Sequence, residues 1–243
     1  MGQLEYMVRH MPPVTKNLII INSIIWLAMA LFPSVNNNMM VFCSLHYFEA
    51  SDFNPVQIIT YMFLHGGFFH LFFNMFTLFM FGIMLEQAMG SRRFLLFYMV
   101  CGIGAALIQE AVWTLTLPDL ITKQLADLNG LPVDRINEAI RLDPSIMAGN
   151  YNFFTTVGAS GAIYGVLLAF AMLFPNRPLY FMFIPVPVKA KWMMLIWGGL
   201  ELLLGMSEAR DGIAHFAHLG GMIFGFMLIA YWKKKGEIHG DSF

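Results

Sequence analysis

Charge is what this sequence has least of. Lys, Arg, Asp and Glu together make up 12% of its 243 residues, about half the ~25% of an ordinary soluble domain. That scarcity excludes a solvated globular surface and points to a polytopic membrane protein. Cysteine is nearly absent too. Cys43 and Cys101 supply neither a disulfide framework nor metal-ligand spacing, and Cys101 lies inside an apolar run. The chain has no internal repeat, no low-complexity tract and no HExxH pair, which removes the zincin type of metalloprotease.

What is present is a series of apolar runs. Residues 1–17 are a short amphipathic lead with Arg9 and Lys16, and 18–32 is the first run, stopped by Pro33 and the polar cluster 34–38. Ala28-Met29-Ala30 resembles a signal-peptide cleavage site, but an uncleaved first span agrees with the parity found below. After the loop 41–55, the segment 56–64 is apolar but too short to span, so it reads as a re-entrant or interfacial helix ended by Gly66-Gly67. Further spans are expected at 68–85, 94–117, 153–174, 191–206 and 213–232. Residues 118–152 are polar, with a short amphipathic helix at 131–142, and read as an insertion outside the bilayer. The segment 179–188 is apolar but interrupted by Pro185 and Pro187, just after Pro178, and is expected at the interface.

The basic residues orient these spans. Arg9, Lys16, Arg92, Arg93, Arg177, Lys189, Lys191, Lys233, Lys234 and Lys235 fall on one side, ten of the fourteen Lys and Arg; Lys123, Arg135, Arg141 and Arg210 fall on the other. Positive residues mark the cytoplasm. The expected architecture is therefore an all-α polytopic bundle of six transmembrane helices with both termini inside. It has a cytoplasmic lead (1–17), a membrane domain (18–232) with an extracytoplasmic insertion (118–152), and a cytoplasmic tail (233–243).

Spans two, four and six all begin on the outer side, and each carries its unusual polar residues early: His70 and Asn74, then Ser160, then His215 and His218. At about 1.5 Å per residue, five to seven residues in is roughly 7–10 Å below the outer surface. Polar groups inside a bilayer are costly and face the bundle interior or a water-filled cavity. Gly161 and Gly165 on span four, and Gly221 and Gly225 on span six, form GxxxG faces that permit close approach. A serine beside Gly158, Ala159 and Gly161 at a helix start is either a packing residue or a nucleophile next to bare backbone N–H groups. Tyr164, one turn deeper, is placed to stack on an imidazole. His70 and Asn74 share a face, and with the Ser160 N–H they form a candidate oxyanion site. No aspartate or glutamate is expected at this level. The arrangement read here is a Ser–His dyad whose base is oriented by packing.

These residues resemble the motifs of the rhomboid intramembrane serine proteases. Gly158-Ala159-Ser160-Gly161 followed by Tyr164 is similar to their GxSGxxY. His65-x4-His70-x3-Asn74 resembles their second-span motif, His218-Leu219-Gly220-Gly221-x3-Gly225 their last-span HxGGxxxG, and Glu86-x3-Gly90 the close of their second span. The resemblance covers about residues 18–232. It implies a six-span rhomboid-like bundle of the bacterial form, multi-pass in the cell inner membrane, that cleaves single-span membrane proteins near the outer face. It implies no cofactor, no metal and no nucleic-acid partner. Carried over, Ser160 is the nucleophile, His218 the general base and acid, and His70 and Asn74 the oxyanion donors, with Tyr164 and Gly158 in support. His215, one turn before His218, competes for the base, and the glycines three and seven residues after His218 favour the latter. The implied substrate enters between spans two and five or beneath the 207–213 loop, and Phe153 and Phe154 are expected to shape the pocket. Two features depart from the family: the loop 41–55 has no Trp-Arg pair, and the insertion is longer than in compact bacterial forms.

Two other classes compete. A histidine-based metal transporter or metalloenzyme would use His65, His70, His215 and His218 as ligands, and would be indifferent to Ser160→Ala. A non-proteolytic relative would bind membrane proteins without cutting them, and the intact Ser160 and His218 argue against it.

Overall fold

The computed structural model describes residues 11–181, 184–207, 214–238 and 240. The start of the lead (with Arg9), the end of the tail, most of the 207–213 loop and the expected first residue of span six, Ile213, lie outside the described residues. Helix α1 (Pro13–Leu31) begins on prolines, whose missing N–H groups have no intrahelical partner to lose. It is followed by α2 (Pro33–Cys43), a short α3 (Gln57–Thr60) continued by one 3-10 turn, and α4 (Phe68–Met89), which carries a π-helical turn over Leu78–Gly82. Then come α5 (Ser91–Asn129), α6 (Val133–Leu142), α7 (Ser145–Tyr151), α8 (Ser160–Leu173), α9 (Ala190–Gly205) and α10 (His215–Lys234).

Among the described residues, α1, α4, α5 and α10 are long and apolar enough to cross a membrane. The other two expected spans, α8 with 14 residues and α9 with 16, fall short of the ~20 that a full hydrocarbon core asks for. The first of them gives up part of its expected run to extended backbone, whereas α9 keeps the expected length. Before α8, β1 (Leu45–His46) pairs antiparallel with β2 (Thr155–Thr156), so helix four starts at Ser160 rather than at residue 153. Before α9, β3 (Pro178–Phe181) and β4 (Ile184–Lys189) form an antiparallel hairpin where an apolar interfacial segment was expected.

The third span also differs. It was expected to end before Pro118, yet α5 continues to Asn129, where Gly130 at φ 62° closes it. Pro118 removes one helical hydrogen bond. Against that, Leu117, Ile121, Thr122 and Ala126 form a buried stripe on the part of α5 that meets α6 and α7. Tertiary burial overrides the local signal. The segment 118–152 thus begins as the continuation of the long apolar helix α5, with two short helices folded on it. Its end is clasped to the first loop: Asn152 accepts from the Asp52 N–H at 3.1 Å and donates to the Ser51 hydroxyl at 2.7 Å, and Tyr47 and Tyr151 meet edge to face at 4.8 Å.

Large apolar side chains face outward along the helices, Ile24, Leu31, Phe69 and Leu203 among them, as expected where the solvent is lipid. Inside, glycines bring backbones together. A Cβ on Gly221 of α10 would overlap the carbonyl oxygen of Gly161 on α8; one on Gly165 would lie 2.9 Å from the Gly221 oxygen and 2.5 Å from Cys101 Sγ of α5. At the opposite end, buried Glu86 accepts from the backbone N–H groups of Val14 (3.0 Å) and Thr15 (2.7 Å), the Thr15 hydroxyl (2.8 Å) and the Ser91 hydroxyl (2.7 Å). Those four donors satisfy a carboxylate that would otherwise be costly to bury, and they tie the starts of α1 and α5 to the end of α4.

Candidate active site

The serine is positioned by what precedes it. Gly158 adopts φ +127°, a region L residues with a side chain rarely occupy, and its N–H donates to the Tyr61 carbonyl at 2.9 Å. Tyr61 is itself fixed, since its hydroxyl donates to the Gly102 carbonyl of α5 at 2.7 Å. The short segment 56–64, expected as re-entrant or interfacial, thus braces the serine turn through buried Tyr61 while Val56 and Ile59 stay exposed. Ser160 follows as the first residue of α8, in the turn whose N–H groups have no intrahelical acceptor. His70 and His218 likewise fall in the first turns of α4 and α10. Ser160 is thus the first residue of its helix rather than five to seven residues in, because extended backbone rather than helix leads to it, whereas Asn74 is the seventh residue of α4.

His218 Nε2 lies 2.8 Å from Ser160 Oγ. The Tyr164 ring stacks on the imidazole, centroids 4.2 Å apart and planes within 7°, so both χ angles of His218 are held between span four and its own helix. The glycine contacts of α8 with α10 make this possible.

The expectation of no acid at this depth is wrong. Glu201 of α9 is buried beside the histidines, with Oε2 2.7 Å from His215 Nδ1 and 3.0 Å from His218 Nδ1, and the Tyr164 hydroxyl donates to Oε1. The miss has a geometric cause. The level that lies at the starts of α8 and α10 meets α9 near its C-terminal end, where Glu201 sits four residues before the last residue of the helix. A lone carboxylate in the run 191–206 was the available signal.

His70 and Asn74 reach the same place from α4. An ideal Cβ at Gly158 would fall 2.7 Å from His70 Nε2 and 3.7 Å from Ser160 Oγ, so ring and hydroxyl flank one small volume that only a glycine leaves open. Asn74 is buried and donates to the His70 carbonyl at 2.9 Å. His65 stacks edge-on against His70 at 5.0 Å, which suits a brace. A cavity of about 570 Å³ joins Ser160, His218, Tyr164, His70 and Asn74, walled by Phe69 and Phe73 of α4, Thr155 to Val157, and Trp197 of α9. Phe153 and Phe154, expected to shape the pocket, do not line it; Phe153 points outward, 84% exposed.

The histidines do not form the four-ligand cluster of the metal reading. Among the described residues, the group close enough to share an ion is Glu201, His215 and His218, with ligand atoms within 4.8 Å of one another.

The family model described as Rhomboid domain matches residues 52–235. The chain belongs to the rhomboid family. Its relatives include rhomboid protease AarA of Providencia stuartii, 30% identical over 179 residues (70% of this chain, 53% of AarA). Putative rhomboid protease YdcA of Bacillus subtilis is 28% identical over 183 residues (74% and 69%). RHOMBOID-like protein 6, mitochondrial, of Arabidopsis thaliana is 30% identical over 173 residues (71% and 42%). The chain spans about half the length of most relatives it matches. As a rhomboid it is a multi-pass membrane protein, and the matched region begins after α2 and takes in every residue of the cavity.

Proposed function

We propose that this rhomboid is an intramembrane serine endopeptidase in which Ser160 is the nucleophile and His218 the general base. The observation that carries this reading is the 2.8 Å approach of His218 Nε2 to Ser160 Oγ, within a cavity holding further hydrogen-bond donors.

The chemistry is acyl transfer. As Ser160 Oγ attacks the scissile carbonyl carbon, its proton passes to His218 Nε2. The carbonyl oxygen becomes an oxyanion facing His70, Asn74 and the Ser160 N–H, donors typically worth a few kcal/mol each. His218 returns the proton to the departing amine, the C–N bond breaks, and the upstream fragment stays as an ester on Ser160. A water that gives its proton to His218 then hydrolyses that ester. Phe69, Phe73 and Trp197 stand on α4 and α9 at the cavity wall, which supports lateral entry of a single-span substrate between spans two and five. The charge asymmetry supports an inner-membrane location with both termini cytoplasmic.

The test is cleavage of a labelled single-span substrate by purified protein, comparing wild type with Ser160→Ala, His218→Ala and His215→Ala. The first two should abolish cleavage. His215→Ala should retain some, because Nε2 of His218 is the nitrogen that meets the serine. A metal-centred reading built on Glu201, His215 and His218 predicts the reverse: bound metal, chelator sensitivity and indifference to Ser160→Ala.

A further inference from the structure

We infer that Glu201 is a positioning residue for the reaction, fixing the tautomer of His218, so that the base is oriented by a third side chain and not by packing alone. The inference rests on the protease reading for its catalytic consequence, but the contact itself is testable without it.

The argument is one of donors and acceptors. An ionised carboxylate can only accept hydrogen bonds, and a neutral imidazole carries one N–H. Glu201 Oε2 lies within hydrogen-bond distance of Nδ1 on both His215 and His218, while Oε1 takes the Tyr164 hydroxyl. With Glu201 ionised and the imidazoles neutral, each of these is the donor, which puts the His218 proton on Nδ1 and leaves Nε2 a bare lone pair. That lone pair points at Ser160 Oγ. The opposite tautomer would put an N–H against the serine and leave it without a base.

The cluster also answers why a carboxylate is buried in an apolar helix. An unpaired one is expensive, whereas here three donors from α8 and α10 converge on it. The stack of Tyr164 on His218 fixes the plane of the ring, and Glu201 fixes which nitrogen carries the proton. Packing alone does the first and cannot do the second. Because Tyr164 touches both the imidazole face and the carboxylate, spans four, five and six all close on one ring.

The decisive experiment uses the full-length protein with 15N-labelled histidine, as wild type, Glu201→Gln and Glu201→Asp. It pairs nitrogen NMR with single-substrate kinetics. Wild type should show the His218 ring as the Nδ1–H tautomer, identified by loss of its signals in His218→Ala. Glu201→Gln should mix or invert the tautomer and lower kcat by on the order of 10²–10⁴, with KM nearly unchanged because the substrate-facing walls are intact. Glu201→Asp should recover part of kcat. Finding His218 as Nε2–H in wild type overturns the inference, even if the variants fold poorly. So does a Glu201→Gln enzyme with wild-type kcat and an unaltered His218 spectrum. If wild type shows the Nδ1–H tautomer, lost in Glu201→Gln, but cleaves nothing, the contact stands and the protease reading is what fails.

Discussion

Spans four and six meet backbone against backbone, whereas span five joins the same bundle through a carboxylate. Between α8 and α10 there is no room for even a methyl group at Gly221. Between α9 and those two helices lies an apolar groove of about 630 Å³, lined by Leu168, Met194, Gly198, Leu202 and Met222. Toward α8 and α10, Glu201 of α9 takes the Tyr164 hydroxyl and faces Nδ1 of both His215 and His218. The difference separates two ways of setting geometry at the site. The approach of α8 to α10, which brings Ser160 to His218, leaves no room for a side chain, and the His218 ring is oriented by a carboxylate on a helix that borders an open groove.

Substitutions can break or sharpen that contrast. Gly221→Ala should have the largest effect, because the new methyl meets the rigid Gly161 carbonyl; destabilisation at or beyond the ~3 kcal/mol end of overpacking is expected, read as loss of the folded transition in detergent. Gly158→Ala should come next. It forces a strained φ and places a methyl 2.7 Å from His70; relieving that contact shifts the ring by about 1 Å, and a misplacement of about 1 Å costs on the order of 10²-fold in rate, seen as a fall in kcat with the protein still folded. Tyr164→Phe keeps the stack but removes a donor to Glu201; cleavage should slow by about 3–10-fold, the worth of a hydrogen bond near 1 kcal/mol. Gly199→Ala in α9 should change least, within about 0.5 kcal/mol in thermal unfolding, since nothing lies within 4 Å of the added carbon. A Gly199→Ala effect as large as that of Gly221→Ala would erase the contrast.

Much of the site was legible in the sequence because helix periodicity is local. Spacing put His70 with Asn74 and Ser160 with Tyr164, and the two GxxxG pairs announced which helices touch. What escaped depended on direction and on competition between local and tertiary terms. Glu201 escaped because the polar level was counted from helix starts, and α9 presents that level near its C-terminal end. The start of α8 was misplaced because 153–159 is apolar enough for a helix, yet Thr155 and Thr156 pair with the first loop and Gly158 turns the chain. The run of α5 past Pro118 was hidden because a proline signals an end locally, while the burial of Ile121 and Ala126 depends on α6 and α7.

The central claim, that Ser160 is a nucleophile activated by His218, is tested most directly by treating the purified protein with a fluorophosphonate and mapping the adduct by mass spectrometry. A single adduct on Ser160, absent in His218→Ala and retained in His215→Ala, is the predicted result. No adduct on Ser160 in folded wild-type protein, or equal labelling in His218→Ala, would contradict it.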